Sequence, residues 1–337
     1  MDPVTQGVLG AAAAQVLLHE KLGKKAFLYG ALGGMAADLD VLIRSGTDPM
    51  VAWTYHRHFT HSLAFIPVGG LLTALPFIVT KSGRTRRERV RVVLATTAGY
   101  ATHALLDAFT SYGTQLWWPV SNARVAWNWI GIVDPAYTLP LLLGTVLTMF
   151  RKRARPVWIA LAWCALYMGL GGVQHARAKA EARRLAVQRG HTPVRVEAFP
   201  GILTNLLWRT LYEHEGEIYV DAVHVPWVGG STSNAGGSVP VLHPASHGEL
   251  ARADARVAAA LETFHWFADG WVAARPGDVT ELGDLRYSSE IGGTQAMWGI
   301  EIEPGTEAPV RRWQLRPSGA SLARTAEIWV SGFGPED

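Results

Sequence analysis

Cysteine is nearly absent from this chain: Cys164 is the only one in 337 residues, so no disulfide framework holds the fold. Charge is scarce too. Asp, Glu, Lys and Arg make up 18% of the residues, below the roughly one quarter usual in soluble domains. With 49% apolar residues the chain is neither disordered nor collagen-like. The mean hydropathy of +0.11 leaves two classes, an apolar soluble enzyme or a membrane protein with a soluble part. The glycine-rich stretch GGSTSNAGGS (229–238) lacks the lysine of a phosphate-binding loop, and no basic stripe with interleaved aromatics marks a nucleic-acid binder.

The net charge of +3 averages two unlike parts. Residues 1–173 hold 16 Lys and Arg against 8 Asp and Glu, a balance of +8, whereas 174–337 hold 15 against 20, a balance of −5. The first part is built of apolar runs. Segments 62–80 (SLAFIPVGGLLTALPFIVT) and 156–173 (PVWIALAWCALYMGLGGV) contain no formal charge, and each is about as long as the ~17–25 residues a helix needs to cross a bilayer. Segment 92–111 is apolar apart from His103 and Asp107, and 132–150 apart from Asp134. These four predict membrane-crossing helices, and the shorter runs 4–18 and 26–43 predict two further apolar helices before them. Asp2 stands where a signal peptide would carry a basic segment.

Positive charge orients the bundle. Lys81, Arg84, Arg86, Arg87, Arg89 and Arg91 fill one connection, Arg151, Lys152, Arg153 and Arg155 another, and both belong on the cytoplasmic side. Threading from these anchors puts 44–61, 111–131 and the acidic tail outside. Trp53, Tyr55, Tyr112, Trp117, Trp118, Trp127, Trp129 and Tyr137 all fall in or beside the outer connections, where aromatic rings favour the headgroup layer.

The polar residues of this part converge on the same outer side. Asp38 and Asp40 close the second apolar run, His56, His58 and His61 lie in WTYHRHFTHS, and Asp134 opens the fourth span. His103 and Asp107 are four apart, hence on one helical face. Ionisable groups cost about 2.5–3.5 kcal/mol each in the hydrocarbon, so their presence asks for a reason. Acids and imidazoles without intramembrane Lys or Arg point to a cation, and mixed His and carboxylate donors suit Zn, with Mn or Fe as alternatives and one or more ions.

The segments MDPVTQGVLGAA, GALGGMAADLDVLI, HRHFTHSLAF, ATHALLDAFTSYGTQLWWP and VAWNWIGIVDPAYTLPLL resemble bacterial membrane-bound metal-dependent hydrolases of the LexA-regulated inner-membrane type, which carry motifs like those of zinc-dependent phospholipase C. The resemblance spans about residues 1–150 and extends more loosely into the tail through LLTNLLWRTLYEHEGEIYVDAV and DLRYSSE. It implies Asp38, Asp40, His56, His61, His103, Asp107 and Asp134 as the site. It sets His58 aside as a variable position. Gln6 stands where many members carry His, and Ala37 where Pro is usual.

The expected chemistry is hydrolysis by metal-activated water, with Asp38, Asp40, His56, His61, His103 and Asp107 as ligands. Asp134 would act as ligand, orienter or general base, and Arg57 would meet a phosphate. A site at the outer face favours a lipid or lipid-linked phosphoester. The rival class is a non-catalytic membrane protein with a structural polar cluster and a partner-binding external domain.

The expected architecture is therefore a polytopic helical membrane bundle (1–173), a linker helix (174–190) and a small, mainly-β periplasmic domain (191–337). The runs EIYVDAVHV, FHWFADGWVAAR, MWGIEIE and AEIWVSGF predict strands, and 229–238 a flexible loop. His214, His224, His243, His247 and His265 lack ligand spacing.

Overall fold

A computed structural model of the chain describes residues 1–80, 85–242, 254–275, 277–315 and isolated positions between 248 and 333. Two compact units emerge. One comprises Met1–Leu42, Tyr55–Gly172 and Ile202–Thr204, the other Ile43–Thr54, Val173–Gly201 and Asn205–Asp337.

The first unit is helical. α1 (Pro3–Leu22) starts at Asp2, whose side chain accepts from the Thr5 amide, with Pro3 in the first turn where its missing N–H costs nothing. α2 (Lys24–Ala36) continues into a 3-10 turn, Ala37–Leu42, that carries both Asp38 and Asp40. The short α3 (Val51–Tyr55) and two 3-10 turns lead to α4 (Ile66–Ile78). α5 (Arg86–Ala108) opens on a reciprocal capping box between Thr85 and Glu88, which draws the end of the basic connection into the helix. α6 (Pro135–Met149) follows an Asp134 cap, and α7 (Arg155–Gln188) runs unbroken for 34 residues, about 51 Å.

Glycine lets α1, α2, α4 and α5 approach backbone to backbone. A Cβ on Gly34 would overlap the Gln6 carbonyl, one on Gly10 the Gly30 carbonyl, one on Gly33 the Thr96 carbonyl, and one on Gly99 the Gly30 carbonyl. Gly69 lies instead against the Tyr100 ring, and Gly70 against the side chain and Cα of Thr97. Small residues at helix contacts are how apolar helices pack where lipid removes the hydrophobic drive. Large apolar side chains point outward instead: Leu71, Leu72 and Leu75 on α4, Leu139 and Leu143 on α6, and Trp158, Ile159 and Leu166 on α7 are exposed.

This outward apolar surface fits a bilayer. α7 is long and apolar enough to cross a membrane, and Val51–His61 with Leu63–Ile78 passes the same length and composition test as a pair bent by 58°. α6 is a shorter apolar helix, and α5 is diluted by its basic first turns. The described residues thus supply one to two span candidates, where the sequence predicts four.

The second unit holds two antiparallel sheets. β1 (Arg195–Pro200), β2 (Leu207–His214), β3 (Glu217–His224) and β4 (Thr232–Pro240) pair in chain order, and so do β5 (Val272–Arg275), β6 (Asp278–Asp284), β7 (Trp298–Ile302) and β8 (Val310–Gln314). Glu215 and Gly216, both at positive φ, make the two-residue hairpin between His214 and Glu217. Phe199, Leu211, Ile218, Val220 and Val239 of the first sheet share a core with Trp271, Ala273 and Leu285 of the second region.

Three expectations need correction. The 229–238 stretch is not a flexible loop, because Thr232–Pro240 pairs with β3, and Gly236 lies against the Val220 and Gly292 carbonyls where no side chain would fit. FHWF is not a strand. It closes α8 (Ala255–Phe267), whose buried Val257, Ala260, Leu261, Phe264 and Phe267 follow helical spacing after the Asp254 cap. Trp53 does not face a headgroup layer but is buried, stacked on Phe264 and Phe267. His243 and His247 lie outside the described residues, as do Ala326, Trp329, Val330 and Ser331 of AEIWVSGF, whose Glu327 and Ile328 are helical rather than the predicted strand.

Candidate metal centre

The helical unit gathers six of the predicted residues at one place. α5 contributes His103 and Asp107 from consecutive turns of its buried face. The 3-10 turn after α2 contributes Asp38 and Asp40, and the irregular stretch between α3 and α4 contributes His56 and His61.

Four of these aim single atoms at a common point. His61 Nε2 lies 3.5 Å from Asp38 Oδ1 and 3.3 Å from Asp107 Oδ2. His103 Nε2 lies 3.2 Å from Asp38 Oδ1 and 3.4 Å from the same Asp107 oxygen. Donors about 2.05 Å from a tetrahedral ion would stand about 3.3 Å apart, so these four spacings match the edges of such a shell. His61 Nε2, His103 Nε2 and Asp107 Oδ2 are buried without a hydrogen-bond partner among the described residues. Buried polar atoms rarely go unsatisfied, and three that converge suit a cation.

The outer nitrogens of both imidazoles are engaged as metal-ligand histidines require. His103 Nδ1 lies 2.5 Å from the Gly34 carbonyl oxygen, and His61 Nδ1 lies 3.1 Å from Asp40 Oδ2 and 3.0 Å from Thr60 Oγ1. Such bonds put the proton on Nδ1 and leave Nε2 with its lone pair inward.

Asp40 organises the neighbouring chain. Its Oδ2 accepts from the Arg57 amide (2.9 Å) and the Thr60 hydroxyl (2.9 Å), and its Oδ1 lies 2.8 Å from His56 Nδ1. Arg57 adopts a left-handed backbone, φ 63°, which costs a non-glycine residue about 1 kcal/mol. The Asp40 bond, and the Gln115 amide donating to the Arg57 carbonyl at 3.0 Å, hold it there. That twist turns the guanidinium inward. Its Nε sits 3.2 Å from Asp107 Oδ2, its Nη1 donates to Thr110 Oγ1, and it lies over the Tyr112 ring.

Asp107 is the most heavily surrounded acid. Its Oδ1 receives Gln6 Nε2 at 2.9 Å and the Met1 amino nitrogen at 2.5 Å. Gln6 is a member of the site that sequence reasoning left aside as a departure. Its complete burial and an amide oxygen without a partner among the described residues mark it only once α1 is packed on α5.

Two sets of side chains could hold an ion: Asp38, His61, His103 and Asp107, and Asp38, Asp40 and His56, with the donor atoms of each within 4.8 Å of one another. Asp134 is placed elsewhere. Its Oδ1 accepts from the amides of Ala136 and Tyr137 at the start of α6, and its Oδ2 from the Tyr167 hydroxyl of α7.

An outward apolar surface, a span candidate and a buried His and Asp cluster able to hold a metal are the features of a membrane protein with a candidate metal centre. The chain belongs to the YdjM inner membrane protein family, whose model matches residues 1–178, the stretch that carries the whole cluster. No curated protein and no solved structure matches the chain.

Proposed function

We propose that the protein is a metal-dependent hydrolase of the inner membrane, acting on a phosphoester of a lipid or lipid-linked substrate at the outer face. The observation that carries this is the convergence of His61 Nε2, His103 Nε2, Asp38 Oδ1 and Asp107 Oδ2 at tetrahedral spacings, three of them buried without a hydrogen-bond partner among the described residues. A divalent transition metal, zinc by donor set and geometry, would supply Lewis acidity and a nucleophile from water at neutral pH.

The chain's own residues divide the remaining work. Asp38, His61, His103 and Asp107 would hold the ion, and water would have to enter as a further ligand from the side of the partly exposed Asp38. Asp40 orients His61 and His56, and Gln6 fixes the Asp107 carboxylate. Arg57, whose Nε lies 3.2 Å from Asp107 Oδ2, would face the phosphate oxygens. Asp38 and His56 retain partial exposure, which gives the site its open side. Asp134 would act by holding α6 and α7 in place. In this reading segments 62–80, 92–111, 132–150 and 156–173 make four crossings, with 81–91 and 151–155 cytoplasmic and the tail periplasmic.

A second reading has one specific support. Arg57 and Gln6 already oppose the Asp107 charge, as a non-catalytic polar cluster would require. Metal analysis of detergent-purified protein separates the two. The hydrolase reading expects stoichiometric transition metal, lost in His61→Ala and Asp107→Ala together with phosphoesterase activity on a lipid phosphodiester. Protein without metal, or variants with intact activity, would overturn it.

A further inference from the structure

Beyond the metal centre, one apolar protrusion of the second unit has a defined position along α7. The 225–230 turn (VPWVGG) joins β3 to β4 and exposes Trp227 by 50% and Val228 by 91%. Its root is firm. Val225 is buried in a cluster with Ala178, Ala198, Trp208 and Val223. Gln174 Nε2 donates to the Val225 carbonyl at 2.5 Å, and Arg177 donates to the carbonyls of Pro226 (2.6 Å) and Gly229 (2.7 Å). The Trp227 indole N–H is taken by Asn205 Oδ1 at 2.9 Å.

These anchors fix the height of the turn. Gln174 and Arg177 are one and four residues beyond Val173, the last residue of the uncharged 156–173 run, which is about 1.5 and 6 Å along the helix. Side chains on a helix lean toward its N-terminus, here toward the membrane, so the carbonyls they grip lie beside the first turn after the apolar run. The interfacial layer of a bilayer is about 5–8 Å thick on each side. An exposed Trp with its N–H already bonded, next to an exposed Val, is a side-chain pair suited to that layer.

We propose that the 225–230 turn is a membrane-contact element: Trp227 and Val228 enter the headgroup layer of the leaflet from which α7 emerges. The occupant of this surface is lipid rather than a protein partner, because the turn is gripped by the helix that leaves the bilayer, within one turn of the last apolar residue. Arg177 thereby serves a purpose other than binding lipid phosphate. It spends its donors on the turn's backbone carbonyls and so presents the two side chains as a rigid pair.

The test uses the full chain with Cys164→Ser and a single added thiol, Val228→Cys, carrying an environment-sensitive fluorophore. The protein is reconstituted in vesicles of phosphatidylethanolamine and phosphatidylglycerol. Val187→Cys is the reference, an exposed α7 position about 21 Å beyond Val173. The expected result is blue-shifted emission at 228 relative to 187. Quenching by a nitroxide near the lipid headgroup should be several-fold stronger at 228, quenching by aqueous iodide correspondingly weaker, and both unchanged on dilution with lipid. Equal iodide access at the two positions would overturn the proposal. So would protection at 228 that disappears on dilution, since that signals a second copy. Should Cys164→Ser not fold, the buried Cys164 is retained and its labelling is subtracted using the unsubstituted protein.

Discussion

Replacing Asp40 by asparagine keeps the shape of the side chain and removes its charge from four donors at once. Asp40 is 3% exposed, and its two oxygens meet His56 Nδ1, the Arg57 amide, the Thr60 hydroxyl and His61 Nδ1 between 2.8 and 3.1 Å. An amide offers one acceptor oxygen. Turned toward Arg57, Thr60 and His61, it preserves three bonds and presents NH2 to His56, whose ring must change tautomer to accept. The backbone twist at Arg57 therefore survives, but the anion that polarises the His61 Nδ1–H is gone, and Nε2 becomes a poorer donor. Losses of this kind lower metal affinity by about 10–100-fold, or roughly 1.4–2.7 kcal/mol. Competition against a chelator of known affinity measures the constant, and mass spectrometry counts the metal. The expected outcome is unchanged stoichiometry with a weaker Kd. Affinity equal to wild type would refute the orienting role, and complete loss of stoichiometry would make Asp40 a direct ligand.

Asp134→Ala should destabilise the protein by about 1–3 kcal/mol, since it removes the α6 cap and the Tyr167 bond, and should leave metal content unchanged; loss of metal in this variant would return Asp134 to the centre. Glu197 on β1 is raised by burial but pulled further down by His175, the Ala198 amide and Lys179, to about 2 from 4.5. Because the folded value is depressed, its stabilisation of roughly 2–3 kcal/mol is complete above pH 4.5 and is lost as the pH falls toward 2. Thermal unfolding midpoints should fall through that window more steeply in wild type than in Glu197→Gln, and parallel curves would refute the assignment.

The helices of the first unit were legible because long uncharged runs leave few alternatives, and the ligands because acids and imidazoles are conspicuous among them. Where the helices begin was less legible. The 62–80 run reads as one segment, yet Ser62 and Phe65 close 3-10 turns before α4 starts at Ile66. Sequence divides the region at Val173 into a span and a separate linker helix, whereas Arg155–Gln188 is a single helix whose Ala178, Ala182 and Ala186 bury one face. β4 was hidden by composition, since Gly and Ser signal a loop unless the neighbouring backbone that requires them is known. The division of labour between His61 as candidate ligand and Asp40 as its support depends on which oxygen faces which nitrogen, a distinction that spacing along the chain does not carry.

The glycine contacts of α1, α2 and α5 bear on which ions the cage would accept. Where Gly10, Gly30, Gly34 and Gly99 press carbonyl against Cα, no side chain lies between the helices to change rotamer and widen the gap. His103 rests its outer nitrogen on the carbonyl of one of those glycines, Gly34. A ligand mounted on such a frame would not retreat to admit six or eight oxygens, so selection would fall on small ions content with four or five donors, imidazole among them, and calcium and magnesium would be turned away by stiffness rather than by charge.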